Sequence, residues 1–358
     1  MMPRPRHAEI AGAGFAGLTS AIALSQRGWT VRVHEKSNEL REFGAGLVLW
    51  ENGLSALRAI GAYDDVMEGS MTPPYYQTIV DNHTVSKEAF GFPWRVMTRP
   101  HLYRSLLAAA KRSGVEFAVG SEVIGASPAG VLRLASGTVL QADLVVGADG
   151  VRSRVRDSLD FEQRRQSSHD GIVRLLIPRL KDKLGDGEWD NVVDFWNLHP
   201  RFLRILYVPC NERELYIAFT APRDDAEGSR VPIDLDVWSE SFPRLRPLIE
   251  VAATLPGRYD VYETTVVKSW TDGKVALVGD AAHAMTPSLA QGANSAMFNA
   301  LALAEDVDTA SSVEDALPQW EKQVRPSTDR YQAHSAHLTE KRALSHGDYA
   351  TLLQKAKL

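Results

Sequence analysis

Short apolar runs alternate along this chain with stretches whose apolar side chains return at helical spacing, and glycines punctuate the changes. Glu9-Ile10-Ala11 reads as the end of a strand, residues 18–26 as a helix with Gly28 as its C-cap, and Thr30-Val31-Arg32-Val33-His34 as a second strand. Residues 53–60 read as a helix closed by Gly61, residues 102–112 as a helix ending at Gly114, and residues 115–119 as a return to the sheet. Leu132-Arg133-Leu134 and Val139-Leu140 flank Ser136-Gly137-Thr138, a hairpin signal. Leu144-Val145-Val146 is the uninterrupted apolar run of a buried parallel strand.

The middle of the chain has a different rhythm. Residues 72–86, 172–177, 192–196, 203–208 and 215–219 are β-rich, with short breaks and many aromatics, and predict a largely antiparallel sheet. Val275-Ala276-Leu277-Val278 returns to the first sheet, residues 293–306 are helical, and residues 313–342 are helical but broken by Pro318 and Pro326. The pattern predicts a discontinuous α/β architecture. Residues 1–70, 97–160 and 266–310 form the nucleotide-type domain, 71–96 and 161–265 the sheet domain, and 311–358 a C-terminal helical region.

Three glycine motifs follow apolar strands. Gly12-Ala13-Gly14-Phe15-Ala16-Gly17 permits a tight turn, close approach to a pyrophosphate and close helix packing, with the pyrophosphate on the positive end of the helix. The second strand ends in Glu35, whose carboxylate can accept both ribose hydroxyls and would repel a 2′-phosphate, so the nucleotide is FAD or NAD. Gly147-Ala148-Asp149-Gly150 and Gly279-Asp280-Ala281-Ala282-His283 place carboxylates at strand carboxyl ends, where an open α/β sheet binds its ligand. Asp280 suits the ribityl hydroxyls and Asp149 the backbone around the pyrophosphate; either is also a good helix N-cap. Pro287 and Ala290-Gln291-Gly292-Ala293-Asn294 then lead into a helix whose N-terminus favours negative charge on a reduced flavin. Together the three motifs point to one FAD. His283 is a candidate base, but a lone histidine with no partner visible in sequence fits a structural role better.

Composition narrows the setting. The 40 basic and 45 acidic side chains give a net charge of −5 without a basic patch for nucleic acid, and no apolar run approaches the length of a membrane span. The basic opening Met1-Met2-Pro3-Arg4-Pro5-Arg6-His7 has no apolar region behind it and is no secretory signal. A single cysteine, Cys210, excludes internal disulfides and CxxC pairs, so a cytoplasmic setting is expected. No His/carboxylate cluster has metal spacing, and no Ser or Cys nucleophile motif is visible.

These motifs, with Ser153 and Arg156 after Asp149-Gly150, resemble the FAD-dependent aromatic hydroxylases of the para-hydroxybenzoate hydroxylase type over nearly the whole length. The resemblance implies a glutathione-reductase-like Rossmann FAD-binding domain interleaved with a mainly antiparallel substrate domain, one non-covalent FAD, and transient NADH or NADPH. By motif it carries FAD contacts to Lys36 beside Glu35, to Arg41 and Gly46 of Arg41-Glu42-Phe43-Gly44-Ala45-Gly46, and to Arg104 within Arg99-Pro100-His101-Leu102-Tyr103-Arg104. Outside the cofactor motifs, Thr72-Pro73-Pro74, Val85-Ser86-Lys87-Glu88, Gly187-Glu188-Trp189-Asp190-Asn191 and Tyr262-Glu263-Thr264-Thr265 resemble the hydroxypyridine-carboxylate oxygenases of vitamin B6 degradation. That resemblance implies hydroxylation, with or without ring opening, of a hydroxylated aromatic or 3-hydroxypyridine carboxylate through a flavin C4a-hydroperoxide. Tyr76, Arg204, Tyr216 and Tyr262 are the implied substrate contacts, with Pro287 beside the flavin. Val48, where these relatives carry a tyrosine near the ring, and Met285-Thr286-Pro287-Ser288 depart from the pattern.

The residues themselves agree in kind. Arg204 interrupts an apolar run and needs a carboxylate, either on the substrate or on an internal acid such as Asp194; Arg174 is a similar candidate. A hairpin of even register would put Arg204 and Tyr216 on one face, and Phe195 and Trp196 are candidate walls or plain core. A flavin halogenase or reductase would share the FAD motifs, although the Trp-x-Trp-x-Ile halogenase motif is missing; a flavin-binding sensor without turnover is the other alternative.

Overall fold

In the computed structural model, residues 6–40 and 44–344 are described. Strand order in the first sheet is Thr271–Asp272, Val275–Leu277, Leu144–Gly147, His7–Ala11, Thr30–Glu35 and Glu116–Val119, parallel except at the first, edge pair. Its central strands are apolar on both faces because helices cover both sides: Ala8, Ile10, Val145, Val146 and Ala276 are fully buried. The sheet thereby brings the ends of His7–Ala11, Leu144–Gly147 and Val275–Leu277 side by side. All three glycine motifs start there.

The second sheet has seven strands in the order Tyr259–Val267, Gln163–Pro178, Glu214–Pro222, Leu203–Pro209, Val192–Asn197, Tyr76–Val80 and His83–Glu88. Every pair is antiparallel except Val192–Asn197 with Tyr76–Val80. Alternation along these strands sorts two faces. Val173, Leu175, Val193, Phe195, Ile205, Tyr207, Ile217 and Phe219 point outward into a second core, closed by Trp238, Phe242, Leu248 and Ile249 of the helices that follow. Phe195 is therefore core, packed near Trp189, and not a wall of the site. The other face carries Arg174, Asp194, Trp196, Arg204 and Tyr216 toward the first domain. A two-stranded ribbon, Gly46–Trp50 with Trp94–Thr98, bridges the two sheets. Gly46 touches the second sheet closely: a Cβ there would meet the Tyr216 ring at 2.8 Å and the Cys210 sulfur at 2.7 Å.

One sequence expectation fails in the C-terminal region. Val313–Leu344 is one continuous helix through both prolines. Each proline removes one backbone bond at a cost of about 3 kcal/mol. Tertiary burial offsets it: Leu317, Trp320 and Val324 are buried, and the Trp320 indole donates to the Asn299 carbonyl at 2.9 Å. Local propensity loses to packing on the neighbouring helix Gly292–Thr309. The fingerprint helix also starts earlier than its apolar spacing suggests, at Phe15, since Gly14 serves as N-cap with extended backbone.

Candidate active site

The crevice at the strand ends is built by backbone. Gly12 has φ +100, and a Cβ on it would run into the Ala148 carbonyl group, so the first and second motifs touch where only glycine fits. Gly14 is the opposite case: a Cβ there meets nothing within 4 Å, leaving space in front of the helix Phe15–Gln26. No side chain caps that helix and no acid lies in its first turn, so its leading N–H groups face the open space. Glu35 accepts from Ala13 N–H at 3.2 Å and Ser37 N–H at 2.9 Å, which fixes its carboxylate beside the same turn. One Asp149 oxygen accepts from the N–H groups of Arg154 and Val155, while its other oxygen is buried without a partner. Burial raises the Asp149 pKa, opposed by the Ser153 hydroxyl and those N–H groups. A donor-rich helix end, a cradle that a Cβ would fill, two carboxylates and an orphaned acceptor suit a dinucleotide with hydroxyls and a pyrophosphate.

Arg156 ties the second motif to the third. Its side chain is fully buried, donating to the Ala281 carbonyl at 3.1 Å and the Val151 carbonyl at 3.0 Å. Asp280 starts the short helix Asp280–His283 at the crevice floor, where water reaches it through the mouth although protein surrounds it. Burial raises its pKa and Arg99 opposes that rise. His283 has no acid partner: Asn299 donates to its Nε2 at 3.1 Å, and burial lowers its pKa to about 4. The ring is therefore neutral at pH 7.

Sequence reasoning selected Arg104, but that residue lies on the exposed side of the helix Arg99–Arg112. Arg99, at the start of the same helix, enters the crevice with its guanidinium 4.6 Å over the Phe15 ring. Burial lowers its pKa, with a further push from Arg174, while Asp280, Tyr262 and Tyr216 attract it. The signal was available: Arg99-Pro100-His101-Leu102 is itself an Arg-x-x-Leu match. Arg41 lies outside the described residues. Lys36 is exposed beside Glu35; Gly292 and Ala293 open the helix Gly292–Thr309, and Pro287 is exposed at the preceding turn. Asn294 is buried, donating to the carbonyls of Val48 and Ala290 and accepting from Trp50 N–H. It joins the ribbon to the turn that precedes the helix Gly292–Thr309.

The sheet face beyond Arg99 carries the remaining candidates. Pairing of Arg204 with Thr220 and of Val208 with Tyr216 puts Arg204 and Tyr216 on one face, as the even register requires. Asp194, on the adjacent strand, accepts from Arg204 Nε at 2.6 Å and from Arg204 NH2 at 3.1 Å, and from the Tyr76 hydroxyl at 3.1 Å. Of the two carboxylates that the sequence leaves open for Arg204, the internal one is present: Asp194 comes from across the strand pair, two residues out of register. Arg174 differs. It donates to Asp260 at 2.9 Å, an acid shared with Arg258, stacks 5.2 Å from the Tyr262 ring, and its Nε is buried without a partner. Burial opposes the Arg174 charge, but Tyr262, Tyr216 and Asp260 outweigh it and raise the pKa. Burial also raises the pKa values of Tyr216 and Tyr262, against the pull of Arg174, so both phenols stay protonated donors.

The model of a family described as "FAD binding domain" matches residues 7–312. The solved tetrameric form of 2-methyl-3-hydroxypyridine-5-carboxylic acid oxygenase is similar at 58% identity and a TM-score of 0.94, covering 97% of this chain and 94% of that one. Among curated proteins, the 2-heptyl-3-hydroxy-4(1H)-quinolone synthase of Mycobacteroides abscessus is 36% identical over 92% of this chain and 88% of its own length. The 3-amino-4-hydroxybenzoate 2-monooxygenase of Streptomyces cremeus is 29% identical over 98% of this chain and 91% of its own length.

Glu35→Ala is expected to weaken FAD binding by about 2 to 3 kcal/mol, roughly 30- to 150-fold, through loss of charge-assisted bonds to the ribose. Titration of the apoprotein with FAD by flavin fluorescence checks this. Unchanged affinity would put the ribose elsewhere.

Proposed function

The chain belongs to the FAD-binding-domain family of aromatic monooxygenases, and on that premise we propose that it hydroxylates an aromatic or 3-hydroxypyridine carboxylate with O2 and NADH or NADPH. The observation that carries this reading is a single junction. Arg99 connects the dinucleotide crevice to a sheet face bearing Arg174, Arg204, Tyr76, Tyr216 and Tyr262. FAD, when bound, supplies the electron transfer and oxygen activation.

The chain's own residues then have distinct tasks. Asp194 neutralises Arg204 with two bonds, whereas Arg174 shares Asp260 with Arg258 and keeps excess positive charge. A substrate carboxylate is accordingly drawn to Arg174, with Tyr216 and Arg204 beside it. Protonated Tyr216 and Tyr262 donate to the ring oxygen or nitrogen and hold the ring toward the crevice. Val48, Trp94, Leu206 and Val208 form an apolar wall that keeps water from the reacting ring. The helix Gly292–Thr309, preceded by Pro287, turns its positive end toward the charge that develops on reduction.

A second reading is hydroxylation of a 2-alkyl-4-quinolone, favoured by the synthase relative. A pocket of about 250 Å³ lined by Leu54, Tyr63, Phe90, Phe92 and Trp94 would take an alkyl chain, and Tyr76, 6.1 Å from Phe90, joins it to the sheet face.

Hydroxypyridine carboxylates, hydroxybenzoates and a 2-alkyl-4-quinolone, each offered with NADH and NADPH under 18-O2, separate the readings. One of the acids should stimulate NAD(P)H oxidation at least tenfold and acquire labelled oxygen, and the product mass shows whether ring opening follows. Stimulation by the quinolone alone selects the second reading. An unlabelled product sinks oxygenation.

A further inference from the structure

The long C-terminal helix Val313–Leu344 carries a buried polar stripe that apolar packing alone would not require. Thr328, Gln332, Ser335 and Thr339 are each at most 4% exposed and recur at helical spacing on one side. The last three bond successive points on the segment that leaves the Gly279-Asp280 motif, and Thr328 reaches that motif through Asn299. Asn299 bonds both His283 and Thr328, at 3.1 Å each. Gln332 donates to the carbonyls of Ala284 and Thr265, both at 2.8 Å. Ser335 donates to the Thr286 carbonyl at 2.6 Å, and Thr339 lies 3.0 Å from the Thr286 hydroxyl and 2.8 Å from that of Ser288.

The contacts thus fall on residues 284 and 286 of an extended segment and on Ser288 in the turn Pro287–Leu289 that continues it. From Gln332 to Ser335 the helix advances about 4.5 Å and from 284 to 286 the extended chain about 6.6 Å, a difference that the Gln332 side chain spans. Sliding the segment by one residue would break every bond at once and bury unpaired hydroxyls and carbonyls, at about 1 to 3 kcal/mol each. The last rung lies in the turn Pro287–Leu289 itself, and Ala290 directly after it holds φ +52, a strained value for a residue with a side chain.

We propose that Gln332, Ser335 and Thr339 are positioning residues that fix the register of residues 284–290, and so the height of the Pro287 turn over the flavin. This rests on reading that turn as the flavin-side wall, but not on which substrate the enzyme takes.

Thr339→Val keeps shape and removes the bonds, Ser335→Ala removes the adjacent pair, and Thr339→Ser restores a hydroxyl. Each FAD-loaded variant is compared by amide hydrogen exchange and by the visible absorption and circular dichroism of the flavin, without substrate. In Thr339→Val and Ser335→Ala, amides 285–290 should exchange at least tenfold faster and the flavin bands should shift. Thr339→Ser should return both to the parent values. A lowered melting temperature with unchanged exchange at 285–290 and an unchanged flavin spectrum would overturn the proposal, leaving the stripe a support of the fold. Because no substrate is present, failure of the substrate assignment does not alter these readouts.

Discussion

Gly12→Ala is expected to abolish FAD binding and to remove about 2 to 6 kcal/mol of folding stability, the sum of backbone strain and overpacking. Two independent terms add here. The backbone at φ +100 is one that side-chain-bearing residues rarely adopt, and the new Cβ would sit within 2.9 Å of the Ala148 carbonyl carbon, in rigid backbone. Neither strand end can retreat, because Ala11 and Gly147 are hydrogen-bonded neighbours in the sheet. Measured against typical stabilities of about 5 to 15 kcal/mol, the loss is large enough to see by urea titration. Gly14→Ala separates the two effects. That residue has φ −76 and open space at its Cβ, so the variant should fold normally and yet bind FAD weakly, its methyl filling the pyrophosphate cradle. The flavin-to-protein absorbance ratio reads the cofactor. An FAD-replete Gly12→Ala protein with the parental urea midpoint would refute the account of this turn.

Arg204→Gln is expected to lower stability by about 3 to 5 kcal/mol, because it strands a buried carboxylate. The Asp194 side chain is 2% exposed and would keep only the Tyr76 hydroxyl among its present partners. Adding Asp194→Asn should recover most of the loss, since a neutral pair in the same place carries no uncompensated charge. The double variant then exposes the substrate role without the folding penalty. If Arg204 helps to hold the substrate acid, the double variant should bind a pyridine carboxylate at least tenfold more weakly while binding the corresponding amide as before. Arg174→Gln should show the larger acid-selective loss of the two. Equal losses for acid and amide would confine both arginines to structural work.

The cofactor crevice was legible in the sequence because its chemistry is backbone chemistry. Glycines at fixed spacing after apolar strands mean the same thing wherever they occur, and Gly12, Gly14, Glu35, Asp149 and Asp280 all stand at adjacent strand ends. Arg99 was missed because two Arg-x-x-Leu matches follow one another in residues 99–107, and only the orientation of a helix decides which arginine enters the crevice. The pairing of Arg204 with Asp194 depends on strand register: residue 194 faces 206, and the guanidinium reaches diagonally. Pro318 and Pro326 misled for the opposite reason. Local rules forbid what burial of Trp320 and Val324 makes favourable. Phe195 and Trp196, adjacent in sequence, part company because alternate residues on a strand belong to different faces.

Arg156 joins residue 151 to residue 281, and the strand beside Leu144–Gly147 comes from residues 275–277, with five of the seven strands of the second sheet lying between them in the chain. The nucleotide crevice is consequently finished last during synthesis. A nascent chain that has made both earlier glycine motifs still lacks the central-sheet strand Val275–Leu277, the Ala281 carbonyl that Arg156 requires, and Asp280. Such non-local closure slows folding. It also ties cofactor uptake to completion of the intervening strands, so that a chain able to grip FAD has already built the sheet face proposed for its substrate.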